Sequence, residues 1–114
     1  MVIDTTTEVI HAALRGLAAR QRAIAQNIAN LEVPGYIAQR VTFEDSLRLA
    51  IGRARPDRIQ PTTTFSTAPR QPNGNNVSLD EEIVTALETS VRYQLMTEAA
   101  SRKFGILRTA IGRR

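Results

Sequence analysis

Two long stretches of helical periodicity, one near each end, most constrain what this 114-residue chain can fold into. In residues 6–31 apolar side chains recur at Ile10, Leu14, Leu17, Ile24, Ile28 and Leu31, with Gln21 in the one gap. The steps alternate four and three, the 3.5-residue seam of a coiled coil. Ala13, Ala18, Ala25 and Ala29 flank this seam and permit close helix approach. Residues 79–112 carry Ile83, Val84, Leu87, Val91, Leu95, Phe104, Ile106, Leu107 and Ile111. Their second half repeats at eleven, Leu95 with Ile106 and Met96 with Leu107, a period that keeps a stripe nearly straight on a helix. Two such helices span about 40 and 50 Å. Each has a stripe and not a broad apolar face. A pair of them alone leaves apolar surface wet, so the sequence asks for neighbours that finish the core.

The boundaries are marked by local chemistry. Thr5 with Glu8, and Ser78 with Glu81, have the spacing of a capping box. Asp80, Glu81 and Glu82 place negative charge where the second helix dipole is positive, and Arg102, Lys103, Arg108, Arg113 and Arg114 place positive charge at its other end. Val33-Pro34-Gly35-Tyr36 stops the first helix, with Pro and Gly at the two central positions of a type II turn. Phe43–Ile51 has the spacing of a short amphipathic helix. From Gly52 to Val77 four of the five prolines, and Asn73-Gly74-Asn75-Asn76, predict an irregular loop with at most one short extended piece.

The expected fold is therefore all-α. Long N- and C-terminal helices pair as a coiled-coil-like hairpin, joined by a short helix and a long irregular loop. The expected units are a core helix with its Pro-Gly-Tyr turn (1–36), a short helix and flexible loop (37–77), and a second core helix (78–114). The seam Ile10, Leu14, Leu17, Ile24, Ile28 and Leu31 is expected to pack on Ile83, Leu87, Val91 and Leu95. Phe104, Leu107 and Ile111 are then left for adjacent subunits.

Composition argues against catalysis. There is no cysteine, hence no disulfide framework and no thiolate metal site. The single histidine, His11, has no partner for acid–base or metal chemistry. Three consecutive acids at 80–82 point around a helix and not at one ion. Asn73-Gly74-Asn75 lacks the spacing of a phosphate-binding loop. No serine or threonine has a base and an orienting group. No catalytic residue, metal, cofactor or small-molecule substrate is expected.

The net charge of +4, carried by fourteen arginines and one lysine against eleven acids, is compatible with nucleic acid, an anionic membrane surface or acidic proteins. The C-terminal bases are spread around their helix and suit its dipole without any ligand. No apolar run approaches the roughly 20 residues of a membrane span. Met1 to Glu8 lacks the positive start and apolar block of a cleavable secretory signal. Asn27 and Asn30 are unusual in a helix interior. They fit either capping of a fraying helix end or side-chain amides that bond a neighbouring element, and the residues alone leave both open.

Asn27-Ile28-Ala29-Asn30, a short spacer and Pro34-Gly35-Tyr36 resemble the N-terminal signature of the bacterial flagellar axial proteins, the rod and hook family. Val33 stands where that signature commonly has Thr, and Leu31-Glu32 where it commonly has Ala-Asp. Phe43-Glu44 after the turn, Arg92-Tyr93-Gln94, and Arg102-Lys103-Phe104 with Leu107 are similar to the proximal rod proteins within the family. The resemblance covers about residues 8–51 and 74–112. It implies N- and C-terminal helices packed into a tube core and export through the flagellar type III apparatus without a cleaved signal. It also implies a place in the periplasmic rod of the basal body. The implied partners are copies of the chain itself, the rod proteins FlgC, FlgF and FlgG, the junction protein FliE, the MS ring and the export gate. Asn27 and Asn30 would fix neighbouring backbone, and Pro34-Gly35-Tyr36 would set how the chain leaves the core helix. The competing reading is a basic helical adaptor for nucleic acid or an anionic membrane surface.

Overall fold

The computed structural model describes residues 5–53, 55 and 59–112. Arg113 and Arg114 of the basic C-terminal cluster, and the segment before Thr5, lie outside the described residues. The element order is α1 (Thr5–Ala29), β1 (Gln39–Thr42), α2 (Glu44–Gly52), β2 (Thr62–Phe65) and α3 (Leu79–Gly112). The long terminal helices and the short middle one match the expected layout. A small antiparallel sheet makes "all-α" inexact: Gln39 pairs with Phe65, Arg40 with Thr64, Val41 with Thr63 and Thr42 with Thr62. β2 is the short extended piece expected in the connection. β1 has no counterpart in the sequence pattern, because four residues of mixed polarity carry too little alternation to mark a strand.

The hairpin is antiparallel. Asn27 near the end of α1 meets Glu82 at the start of α3, and Thr7, Ile10 and His11 share a small crevice with Ala100, Lys103 and Phe104. The molecule measures 67 × 26 × 15 Å, and its radius of gyration is 17.8 Å. A compact chain of this length would have about 13 Å. The core lies to one side of the hairpin, where Ala12, Ala13 and Leu17 of α1 pack with Phe43 and Ile59, joined by Leu47, Ala50 and Met96.

Gly16 explains how this core closes. A Cβ there would overlap the Phe43 ring, so the ring occupies the space a side chain would need. A glycine in mid-helix costs about 1 kcal/mol relative to alanine. Here that cost is offset by seating an aromatic ring that is only 4% exposed.

On α1 the expected seam is buried at Ile10, Leu17 and Ile24 and half-buried at Leu14 and Leu31, while Ile28 is exposed. On α3 the expectation is reversed. Ile83, Leu87, Val91 and Leu95 are all exposed, Leu87 by 63%. The side of α3 that faces the hairpin instead carries Glu82 and Thr89, both buried, with Met96 and Ala100 half-buried. These positions repeat at heptad-like spacing, on the opposite side of the helix from Leu87 and Val91. Small and polar residues are tolerated inward because each finds a partner. The Thr89 hydroxyl, for example, donates to Thr85 O at 2.7 Å. Among the described residues no buried side-chain polar atom lacks a hydrogen bond.

Candidate assembly interface

The Asn27–Tyr36 motif forms a polar joint at the turn end of the hairpin. Val33-Pro34-Gly35-Tyr36 is the expected turn: Tyr36 N–H donates to Val33 O at 3.2 Å, and Gly35 has φ 78°. That positive φ is the reason glycine stands at the third position of a type II turn. The turn returns the chain along α1 so that β1 begins beside Asn27.

Asn27 is fully buried and uses its whole hydrogen-bonding capacity. Its amide donates to Gln39 O (3.0 Å) and to Glu82 Oε1 (2.7 Å). Its carbonyl oxygen accepts from the Tyr36 hydroxyl (3.0 Å) and from Gln39 N–H (2.8 Å). One side chain thus ties α1 to the turn, to β1 and to α3. Burial raises the Tyr36 pKa above its usual value, helped by the nearby Glu82 carboxylate and opposed by the neighbouring Asn30 side chain.

Glu82 is 1% exposed, and its second oxygen pairs with Arg40 at 3.0 Å. It does more than complement a helix dipole: it is the acceptor that fixes α3 on the joint. Asn30 behaves differently. Its amide donates to Gln26 O of its own helix at 2.7 Å, the local capping role. The two readings of the asparagines therefore divide between them.

A second pair of asparagines closes the joint from the far side. Asn75 donates to both Asn30 O and Val33 O at 2.9 Å, and accepts from Val77 N–H at 2.7 Å. Asn76 accepts from Ala38 N–H at 2.7 Å and donates to Ser66 O and Ala68 O at 3.2 Å. Gly74, with φ 87°, lies against Gly35; a Cβ there would come within 3.2 Å of the Gly35 Cα. Ser78 caps α3, receiving Glu81 N–H at 3.4 Å.

Farther along α1, Arg20 clamps the start of α2. Its guanidinium donates to both Glu44 oxygens at 2.8 Å and to Val41 O, and it lies 5.0 Å from the Phe43 ring centre. The Arg20 hydrogen bonds hold the Glu44 carboxyl down to about 2, against the opposing effect of partial burial. Arg92 of α3 reaches the same carboxylate at 3.3 Å. The Phe43-Glu44 pair thus has two distinct tasks, filling the Gly16 notch and accepting Arg20.

The other motif residues lie at the surface. Tyr93 and Gln94 are exposed, as are Arg102, Ile111 and half of Phe104, while Lys103 and Leu107 are half-buried against the hairpin. Sequence reasoning does not reach the roles of Gly16, Arg20, Glu82, Asn75, Asn76 and Thr89. The lone glycine inside a helical pattern was a legible signal. The partners of the polar residues were not, because they lie up to 55 residues away.

An elongated hairpin with its polar groups satisfied inside and aliphatic side chains displayed outside has the build of a structural subunit. No family model matches the chain. Curated relatives do. It is 30% identical to the flagellar basal body rod protein FlgB of Bacillus subtilis, over 81% of either chain. It is 28% identical to FlgB of Escherichia coli (87% of either chain) and 26% identical to FlgB of Borrelia hermsii (90% of this chain, 93% of the relative). The chain belongs to the FlgB family. It is a structural subunit of the bacterial flagellar basal body rod. Neither the fold nor the relatives support the nucleic-acid or membrane adaptor, and among the described residues no helix is long and apolar enough to cross a membrane.

Proposed function

We propose that this rod subunit belongs to the proximal rod and assembles with copies of itself and other rod proteins into a tube. The tube transmits torque and encloses the export channel. The subunit reaches it through the flagellar type III apparatus without a cleaved signal, and performs no covalent chemistry. FlgC, FlgF and FlgG, the junction protein FliE, the MS ring and the export gate are its proposed neighbours.

One observation carries the assembly reading: Val84, Leu87, Val91 and Leu95 form a continuous exposed row on α3. A side chain of this size contributes about 1.5–3 kcal/mol when fully removed from water. A row of four left wet forgoes several times that amount, which association would recover. Replacing Leu87 and Val91 together with aspartate should leave the purified chain helical and abolish swimming in cells that carry it as their only copy. Normal swimming in such cells would sink the reading. Ile28→Asp, at a position 38% exposed, should act in the same way, through assembly and not through the hairpin.

A further inference from the structure

The outer side of α1 has a pattern of its own. Arg15, Ala18, Arg22, Ala25 and Ala29 recur at steps of three and four along the side of α1 away from the core. All but the half-buried Ala18 are exposed. Neither arginine makes an ion pair among the described residues. This face is small and basic. Between Val84 and Glu98 the outer face of α3 is aliphatic and acidic, with Glu88 and Glu98 exposed beside the Val84–Leu95 row and also without ion pairs among the described residues; the exposed Arg102 follows one turn beyond this stretch.

We propose that these two faces of one sequence are each other's partners, the outer face of α1 in one copy docking antiparallel on the outer face of α3 in the next. The inference rests on the assembly reading above and names the surfaces that perform it. In an antiparallel register Ala29 lies opposite Val84, Ala25 beside Leu87, and Ala18 opposite Leu95. Val84, Leu87 and Leu95 then each meet an alanine, which lets the helix axes approach closely, while Val91 packs on the aliphatic stem of Arg22. In that same register Arg15 faces Glu98, and Arg22 lies within a helical turn of Glu88, well inside the reach of its side chain.

The direction has a geometric consequence. α1 and α3 are already antiparallel within a chain, so an antiparallel contact between copies keeps every copy the same way up. The contact joins two different surfaces and therefore repeats instead of closing as a two-fold dimer. Within the chain Asn27 faces Glu82, whereas between copies Ala29 would face Val84. Successive copies are thereby shifted along the axis by about 6 Å, four residues at 1.5 Å each.

The chain has no cysteine, so a single engineered pair reports the contact without background. The variant carrying both Ala25→Cys and Leu87→Cys, as the cell's only copy, should give disulfide-linked multimers of this chain in isolated basal bodies under mild oxidation, and each single cysteine should give none. As an independent test, Arg22→Glu and Glu88→Arg should each lose swimming, and the double reversal should regain it. Crosslinks only to a protein of different mass, or no crosslinks in basal bodies that contain the variant, would overturn the pairing. So would reversals whose loss the double variant fails to repair. Finding the unaltered chain in basal bodies in the same experiment separates this proposal from the rod reading, which would fail only if the chain were absent there.

Discussion

The polar joint around Asn27 and the outer row of α3 are built on opposite rules. At the joint, side chains that normally face water are fully buried: Asn27, Asn75 and Glu82 are 0–1% exposed. Along the row, side chains that normally seek the core face water, Leu87 by 63%. The joint is complete within one chain, since a buried polar group costs free energy unless every bond is made. The row is incomplete, since dispersion and burial need only another surface of the right shape. Directional chemistry thus fixes the subunit's own shape, and the non-directional chemistry left at the surface is what the proposed assembly would use.

Damage to the two regions should therefore read out differently. The largest loss of monomer stability is expected at the joint. Asn27→Ala removes four hydrogen bonds and leaves the buried Glu82 carboxylate with Arg40 alone, which should cost about 3 kcal/mol in urea unfolding. A loss below 1 kcal/mol would mean the joint yields to water easily. Next comes Gly16→Ala, which drives a methyl group into the Phe43 ring and should cost about 1–3 kcal/mol. Phe43→Leu in the same chain should restore part of that loss, and an additive double mutant would show that the ring is not the obstacle.

The Arg20–Glu44 clamp is smaller and shows its contribution in acid. The folded carboxyl titrates near 2 against an ordinary 4.5, so its contribution is present above about pH 4.5 and is lost as pH falls toward 2. Glu44→Gln should flatten the fall of stability across that interval and cost no more than about 1 kcal/mol at neutral pH, because the pair is partly exposed. An unchanged acid limb would assign the slope to other carboxyls. Smallest of all, Leu87→Ser should shift monomer stability by less than about 0.5 kcal/mol. A larger loss would place Leu87 in the chain's own core and erase the contrast between the two regions.

The same contrast sets what was legible in the sequence. Periodicity located both long helices, and Val33-Pro34-Gly35-Tyr36 located the turn, because these signals are local. The inward face of α3 differs from the expected one because an apolar stripe signals burial without naming the surface that supplies it. Leu87, Val91 and Leu95 have the right pattern for a hairpin seam and face outward instead. In the sequence Glu82 is one of three dipole-favouring acids, and nothing local sets it apart from Glu81, which is exposed one position earlier. β1 and the bonds of Asn75 and Asn76 depend on pairings across the connection, beyond the reach of any short window. The family signature held Asn27 and Asn30 together as equals, and only the three-dimensional placement separates the amide that spans elements from the one that caps its own helix.

The four bonds of Asn27 also differ in how far along the chain they reach, and this implies an order of events during folding. Tyr36 and Gln39 lie nine and twelve residues away, whereas Glu82 lies 55 away. Closing the short loops carries the smaller entropic cost, so α1, its turn and the first residues of β1 can meet early. The long helix α3 then docks on an amide already held in position, and Glu82 contributes its bond last. Ordering would proceed from the N-terminal end, with the aliphatic row of α3 delivered to the surface only as the final helix settles into place.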